Sequence, residues 1–419
     1  MFDVISVIGL GYIGLPTAAM FASRKKKVIG VDISNHAVDT INNGGIHIVE
    51  PELDVLVKEA VTSGYLQASL TPKAAEAFLI AVPTPFTEGH QPDLSFIQSA
   101  AKSIAPILKK GDLIILESTS PVGTTDRLAT WFAELRPDLS FPQQVGEDAD
   151  IHLAYCPERV LPGKVVHELV SNDRIVGGMT RRACEMAVNL YKIFVKAECI
   201  VTSSRTAEMC KLTENSFRDV NIAFANEVSM ICWQLGVDAS ELIGLANRHP
   251  RVNILQPGVG VGGHCIAVDP WFIVDSAPES SNLIKTARQV NDLKPLWVID
   301  RVKESVDKIL ATSDGLTKSD VKIACLGITF KPDIDDIRES PALTVVSSLV
   351  DEGYRVLVVE PNLKELPDFL VDKVGHYKNV VEDIGSADIV CFLVKHRDFC
   401  DLGKEKISGE VLDFVGLNF

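Results

Sequence analysis

Residues 4–32 read VISVIGLGYIGLPTAAMFASRKKKVIGVD, and no other stretch of the chain narrows the possible folds as far. An apolar run ends at Ile8, Gly9, Gly11 and Gly14 follow as G-x-G-x-x-G, and a second apolar run closes on Asp32, 18 residues beyond Gly14. The pattern predicts a strand, a tight turn, a helix and a second strand. Each glycine has its own reason to lack a side chain. The first permits the turn, the second lets a pyrophosphate approach, and the third lets the helix pack on the strand. The helix N-terminus presents N–H groups to the phosphates. A carboxylate at position 32 binds ribose hydroxyls and repels a 2′-phosphate, so the stretch reads as a site for NAD rather than NADP.

The 19 uncharged residues from Val4 to Ala22, followed by Arg24-Lys25-Lys26-Lys27, imitate a membrane span with a basic flank. Gly9, Gly11, Gly14 and Pro16 inside the run, and the lack of a basic segment before it, favour strand, turn and helix. The reading therefore predicts no signal peptide and no membrane segment. A net charge of −15 disfavours nucleic-acid and anionic-membrane partners. Nine cysteines without a C-x-x-C pair fit a reducing cytoplasm and predict neither a disulfide framework nor a metal site.

Further strand-like runs end in polar, proline-bearing loops: FLIAVPTP at 78–85, DLIILESTSPVGT at 112–124 and IHLAYCPERVLPG at 151–163. Loops at the carboxyl ends of parallel strands form the ligand crevice, which makes Thr84, Thr119 and Glu158 candidates by position. From about Arg205 to Leu235 the chain has helical character, with no glycine or proline before Gly236. Glu208, Lys211, Asn215 and Arg218 recur there at three- and four-residue steps, either as a solvated face or as a catalytic wall. A second helix-rich stretch covers 282–311. Residues 321–361 repeat the strand–turn–helix–strand theme with Gly327 at the turn but without a second G-x-G-x-x-G. Lys331 and Arg338 in the following loop suit a phosphate or a carboxylate. The predicted architecture is α/β, with two Rossmann-like doubly wound domains, 1–203 and 313–419, joined by a long-helix central domain, 204–312.

Residues 258–271, GVGVGGHCIAVDPW, place Cys265 after a glycine-rich turn and four residues before Asp269. Such a cysteine is either a small buried hydrophobe or a nucleophile in a backbone that lets a ligand come close.

The ordered set GLGYIGLP (9–16), ESTSPVGT (117–124), YCPERVLPG (155–163), EMCKLTENSFRDVNIAFANE (208–227), GVGGHCIAVDPW (260–271) and FKPDIDDIRES (330–340) resembles the UDP-glucose/GDP-mannose dehydrogenase family across essentially the whole chain. The resemblance implies oxidation of a nucleotide-sugar primary alcohol to a carboxylate with two NAD⁺. The segment NRHPRVNILQPGVGVGGHCIAVDPWFIV (247–274) points to UDP-N-acetyl-D-mannosamine as the sugar. UDP-N-acetylglucosamine, UDP-glucose and GDP-mannose are the alternatives. By the same resemblance Cys265 is the nucleophile, Lys211 and Asn215 hold the oxygen at C6, and Asp269 is a base or water organiser. Thr119 and Glu158 position water and protons. Lys211, Asp269 or a water held by Thr119 could each serve as base of the first step.

Gly9, Gly11, Tyr12, Ile13, Gly14, Asp32, Thr84, Thr119 and Arg338 are expected at the cofactor. Glu158, Arg159, Val160, Lys211, Asn215, Arg251, Gly262 and Lys331 are expected at the sugar nucleotide, Arg251 from a neighbouring subunit of a homodimer or larger assembly. Three departures from the family pattern stand out. Pro162 occupies the place of a second glutamate, and Arg159 is inferred to accommodate an N-acetyl sugar. His264 replaces the serine common before the cysteine, which places an imidazole next to the thiol in sequence. Two rival classes fit less well. A hydroxyacid-type dehydrogenase leaves Cys265 and residues 321–419 without a role, and a non-catalytic NAD sensor predicts loss of Cys265, Lys211, Asn215 or Asp269.

Overall fold

The computed structural model describes all residues except 1, 88, 162, 264, 314, 372, 375, 379–383, 385, 404–406 and 418–419, and describes 376–378 by their backbone alone. His264 and Pro162 therefore lie outside the described residues. Two compact units are present: Met1–Glu214 with Trp271–Ser276, and Asn215–Pro270 with Ala277–Phe419.

The first unit is built on eight strands: β1 (Val4–Ile8), β2 (Lys27–Val31), β3 (Leu66–Ser69), β4 (Ala77–Ile80), β5 (Leu113–Leu116), β6 (His152–Tyr155), β7 (Arg174–Gly178) and β8 (Cys199–Ser203). They lie in the order β3-β2-β1-β4-β5-β6-β7-β8, all parallel except the β6–β7 pair. The first six follow the dinucleotide-binding order 3-2-1-4-5-6, whose chain reversal between β1 and β4 opens a crevice at the strand ends. Alternate residues of a strand face opposite sides of the sheet. Thus Ile5, Val7, Leu79 and Ile115 enter one apolar cluster, and Ile8, Phe78, Ile80 and Ile114 enter the other. Burial on both faces is why these strands read as continuous apolar runs rather than alternating ones.

The second unit repeats the scheme on a smaller scale. Strands β9 (Lys322–Leu326), β10 (Arg355–Val359), β11 (His376–Lys378), β12 (Ile389–Phe392) and β13 (Glu410–Asp413) form a parallel sheet of order β11-β10-β9-β12-β13. Ile323 and Cys325 face one core cluster, Ala324 and Leu326 the other.

Two long helices supply the remaining framework, Ser204–Leu235 and Asn282–Thr312. The first is unbroken and stops at Gly236, whose φ of +66° suits a helix end. In the second unit these helices share a buried polar core. Arg288 donates to Asp219 at 2.5 Å, Asn291 donates to Asp219 at 2.8 Å, and Asn226 donates to Asn291 at 2.9 Å. Burial pushes the Asp219 carboxyl up, against the pull of the Arg288 guanidinium. No helix among the described residues is long and apolar enough to cross a membrane.

Candidate active site

The glycine loop between β1 and the helix Gly14–Ser23 shows why each glycine is needed. Gly9 has φ +92°, and a Cβ there would stand 2.5 Å from the Ala81 carbonyl oxygen. At Gly14 a Cβ would stand 1.8 Å from the Gly9 carbonyl oxygen, so the helix packs directly on the loop. Around Gly11 nothing lies within 4 Å of the Cβ position. That open face is where a pyrophosphate can approach. The helix that begins at Gly14 has no side-chain cap and no acid in its first turn, so the positive end of its dipole is left uncompensated and favours an anion. Asp32 follows β2. Its carboxylate accepts from the N–H of Leu10 and of Ser34, both at 2.9 Å, which ties the acid to the glycine loop. These features fit a dinucleotide. Tyr12 is exposed, and Ile13, Asp32, Thr84 and Thr119 are half-buried.

Loops after β4 and β5 are stitched together. The Thr84 hydroxyl donates to the Thr119 carbonyl at 2.6 Å, and the Ser118 hydroxyl donates to the Val82 carbonyl at 2.7 Å. Glu158, after β6, has both carboxylate oxygens engaged. Oε1 accepts from the Arg159 N–H at 2.7 Å and Oε2 from Arg174 Nη2 at 2.5 Å. Each oxygen keeps a second lone pair for a water or a ligand. Arg159 pairs with Glu214 at 2.9 Å and also donates to the Asp173 carbonyl, while Val160 is half-buried. The loop that carries these residues is anchored by Glu50, a residue not singled out in the sequence. Its buried carboxylate accepts from the N–H of Gly163 and of Val165, both at 2.8 Å.

The polar positions of the long helix do not share one environment. Glu208 is fully buried and accepts from the N–H of Gly123, at 2.6 Å, and from the N–H and hydroxyl of Thr125, at 2.8 and 2.6 Å. It thereby caps the helix Thr124–Leu135, whose N-cap position is Gly123 and offers no side chain of its own. Arg218 is exposed, whereas Lys211 and Asn215 are half-buried.

In the second unit Asn215 donates its side-chain amide to Asp269 Oδ2 at 2.5 Å. Asp269 is buried, and its own N–H donates to the Cys265 carbonyl at 2.8 Å. Cys265 is exposed, so it is not a small buried hydrophobe. The root of its loop is fixed by Asn226 Oδ1, which accepts from the Gly258 N–H at 2.8 Å.

The glycines preceding Cys265 are used for close protein packing. A Cβ on Gly262 would stand 2.3 Å from the Glu339 carbonyl oxygen and 2.8 Å from Phe330. One on Gly260 would meet Pro341 at 2.8 Å, and Gly263, at φ +83°, lies against the Phe330 ring. The loop thus lies against segment 330–341. In that segment Lys331 and Arg338 are exposed, and Arg338 forms a bidentate pair with Asp336, Nε–Oδ1 2.9 Å and Nη2–Oδ2 2.5 Å. Arg251 is exposed and is not joined to Cys265 or Asp269 by any described hydrogen bond.

The candidate residues therefore fall into two sets. The glycine loop, Asp32, Thr84, Thr119, Glu158, Arg159, Val160 and Lys211 belong to the first unit, and Asn215, Arg251, Gly262, Cys265, Asp269, Lys331 and Arg338 to the second. Besides Glu50, sequence reasoning missed Glu117, Arg174 and Tyr191, which are buried around Glu158. Glu117 alone left a signal, an acid directly after an apolar strand, where Asp32 also sits.

Three family models match consecutive parts of the chain: the NAD binding domain of the UDP-glucose/GDP-mannose dehydrogenase family over residues 3–195, its central domain over 205–293 and its UDP binding domain over 324–414. Among curated relatives, a Yersinia pestis protein named UDP-N-acetyl-D-mannosamine dehydrogenase is 64% identical over 419 residues, covering 99% of each chain. A Ralstonia nicotianae protein named NDP-N-acetyl-D-galactosaminuronic acid dehydrogenase is 60% identical over 412 residues, 98% of this chain and 95% of the relative. Among solved structures, the UDP-D-ManNAc dehydrogenase of Pyrococcus horikoshii is 37% identical with a TM-score of 0.85, covering 99% of this chain and 96% of that one.

Proposed function

The chain belongs to the UDP-glucose/GDP-mannose dehydrogenase family, and we propose that it oxidises C6 of UDP-N-acetyl-D-mannosamine from alcohol to carboxylate. It is an NAD-dependent nucleotide-sugar dehydrogenase. Bound NAD⁺ supplies the hydride acceptor for each of the two oxidations, and the glycine loop, the open face at Gly11 and Asp32 would hold it.

The protein's own problem is the aldehyde formed first, which cannot yield a second hydride until its carbon is tetrahedral again. The Cys265 thiolate adds to the C6 carbonyl and forms a thiohemiacetal, whose C–H can be oxidised. The resulting thioester is attacked by water, the C–S bond breaks, and acid and thiol are released. Asn215 and Lys211, one helical turn apart, stabilise negative charge on the C6 oxygen. A donor in that role is typically worth about 2.7–4 kcal/mol. Asp269 is held by Asn215 and organises water or takes a proton. Glu158 and Thr119 handle the hydrolytic water. Lys331 and Arg251 are assigned to the sugar nucleotide and Arg338 to the cofactor.

The observation that carries this reading is the chain Asn215–Asp269–Cys265, with an exposed thiol in a loop anchored at both ends. The direct test is NADH formed per UDP-N-acetyl-D-mannosamine consumed, run to completion with excess NAD⁺. The expected stoichiometry is two. Cys265→Ala should bind NAD normally and form no uronate. Wild-type uronate yield from that variant would sink the thioester route.

The identity to the Ralstonia relative favours one second reading, the same chemistry on an N-acetylgalactosamine nucleotide. A substrate panel that also holds UDP-N-acetylglucosamine, UDP-glucose and GDP-mannose separates them by kcat/KM. A homodimer is supported by exposed Phe217, Phe224 and Ile231, spaced seven apart on the long helix, and sedimentation tests it. Nine cysteines without a C-x-x-C pair support work in a reducing cytoplasm.

A further inference from the structure

Behind Glu158 lies a cluster that the proposed chemistry does not use. Arg174 opens β7 and is almost completely buried, with Nη2 2.5 Å from Glu158 Oε2 and Nη1 3.7 Å from Glu117 Oε1. Its guanidinium carbon stands 4.3 Å from the centroid of the Tyr191 ring, and the Tyr191 hydroxyl donates to Glu117 Oε1 at 2.6 Å. Cys156 Sγ completes the shell, 3.8 Å from Arg174 Nη1. Two carboxylates thus share one guanidinium inside the protein. A buried charge of this kind is costly unless it is paired and hydrogen-bonded.

The geometry decides which carboxylate has the stronger claim on Arg174. Glu158 makes the short contact, whereas Glu117 stands farther away and its Oε2 has no hydrogen-bond partner among the described residues. Burial pushes the Glu117 carboxyl up to about 7, against the opposing pull of Arg174 and the Tyr191 hydroxyl. Near neutral pH Glu117 is therefore protonated much of the time, and the guanidinium charge is left to Glu158. Tyr191 supports Arg174 from beneath through its ring and holds Glu117 through its hydroxyl.

We propose that Arg174 is a positioning residue for Glu158, clamped from behind by Glu117 and Tyr191, so that residues remote from the substrate fix the orientation of the crevice carboxylate. This deepens the reading in which Glu158 handles the hydrolytic water and rests on it. A misplacement of about 1 Å can cost on the order of 10²-fold in rate. The effect should fall on thioester hydrolysis, lowering kcat and KM together, with kcat/KM for the sugar nucleotide and NAD binding little changed.

The test is a double-mutant cycle on the full-length enzyme with UDP-N-acetyl-D-mannosamine. It reads the NADH burst, the steady-state rate and the covalent adduct on Cys265 by intact mass. Glu158→Gln is expected to give a burst of two NADH per site, then slow turnover with adduct present. Arg174→Met should do the same, Arg174→Lys should recover part of the rate, and Arg174→Met in the Glu158→Gln background should cost nothing further. Tyr191→Phe keeps the ring, removes only the hydroxyl and should fold if Arg174→Met does not. It is expected to slow hydrolysis several-fold at unchanged kcat/KM. Additive losses in the cycle, or a Tyr191→Phe enzyme that melts earlier yet hydrolyses the adduct at the wild-type rate, would overturn the proposal. If Glu158→Gln alone hydrolyses normally, the assigned role of Glu158 has failed and the proposal falls with it.

Discussion

Asp32 and Glu360 occupy equivalent places in two different sheets. Asp32 follows β2 and accepts from the N–H of Leu10, the residue after Gly9, whose φ is +92°. Glu360 follows β10 and accepts at 2.8 Å from the N–H of Ile328, the residue after Gly327, whose φ is +89°. Each acid also accepts from the N–H two residues on, Ser34 or Asn362. The environments then diverge. Asp32 stays half-exposed, whereas Glu360 is fully buried with His396 Nε2 at 3.1 Å from Oε2. An acid that faces the crevice in one sheet is enclosed by a histidine in the other, which explains why a strand–turn–helix repeat need not make a second dinucleotide site.

This arrangement makes stability depend on pH through Glu360. Burial alone would push its carboxyl up, but His396 and the N–H groups of Ile328 and Asn362 outweigh burial and hold it below its ordinary value. The folded state therefore binds this proton less readily than the unfolded chain. The stabilisation is present above the unfolded value of about 4.3 and is lost as pH falls through the lower folded value. Glu360→Gln should cost about 1–3 kcal/mol at pH 7, and its deficit should shrink as pH drops below about 4. Urea melts of both proteins at a series of pH values measure the gap. A gap that does not change with pH would contradict the assignment.

Gly11 and Gly14 give a paired prediction because their surroundings are opposite. A methyl at position 14 would meet the Gly9 carbonyl, while one at position 11 would enter open space. Gly14→Ala should therefore destabilise the fold by about 1–3 kcal/mol or more. Gly11→Ala should melt like the wild type but bind NAD at least about tenfold more weakly, since it fills the approach reserved for pyrophosphate. Thermal melts and NAD titrations of both variants check it. Normal NAD affinity in Gly11→Ala would place the pyrophosphate elsewhere.

These glycines were legible in the sequence because their reasons are local: a turn, a helix start and an acid 18 residues on. Gly260, Gly262 and Gly263 were legible only as flexible or crowded positions. Nothing in GVGVGG says whether a ligand or another part of the chain comes close, and the crowding comes from Phe330, Glu339 and Pro341. Arg174 was not legible for the same reason. At the head of RIVGG it reads as a surface charge on a strand end, and its partners lie 16 residues away at Glu158 and 57 away at Glu117. The alternation of Ile5, Val7 and Ile8 between two cores was likewise hidden, because a strand buried on both faces shows no period.

Lys294 gives the last prediction, on the helix Asn282–Thr312. Its side chain is 1% exposed, its Nζ donates to Ser229 Oγ at 2.7 Å and lies 4.1 Å from the centroid of the Trp297 ring, and no carboxylate pairs with it among the described ion pairs. Burial lowers its ammonium to about 7. The unfolded chain holds this proton up to about pH 10.4, so stability should rise with pH between about 7 and 10.4. Below pH 7 both states are charged, and the folded state carries the full cost of burying a cation. At ~1.4 kcal/mol per pH unit the ceiling is about 5 kcal/mol. The Ser229 hydroxyl and the Trp297 ring both favour the cation and reduce the expected effect to about 1–3 kcal/mol. Lys294→Met, close in shape and without charge, should accordingly raise stability by that amount at pH 6 and by progressively less towards pH 10.4. Denaturant melts across that range decide it: a variant equally or less stable at pH 6 would mean that the buried ammonium is better solvated by its neighbours than its surroundings indicate.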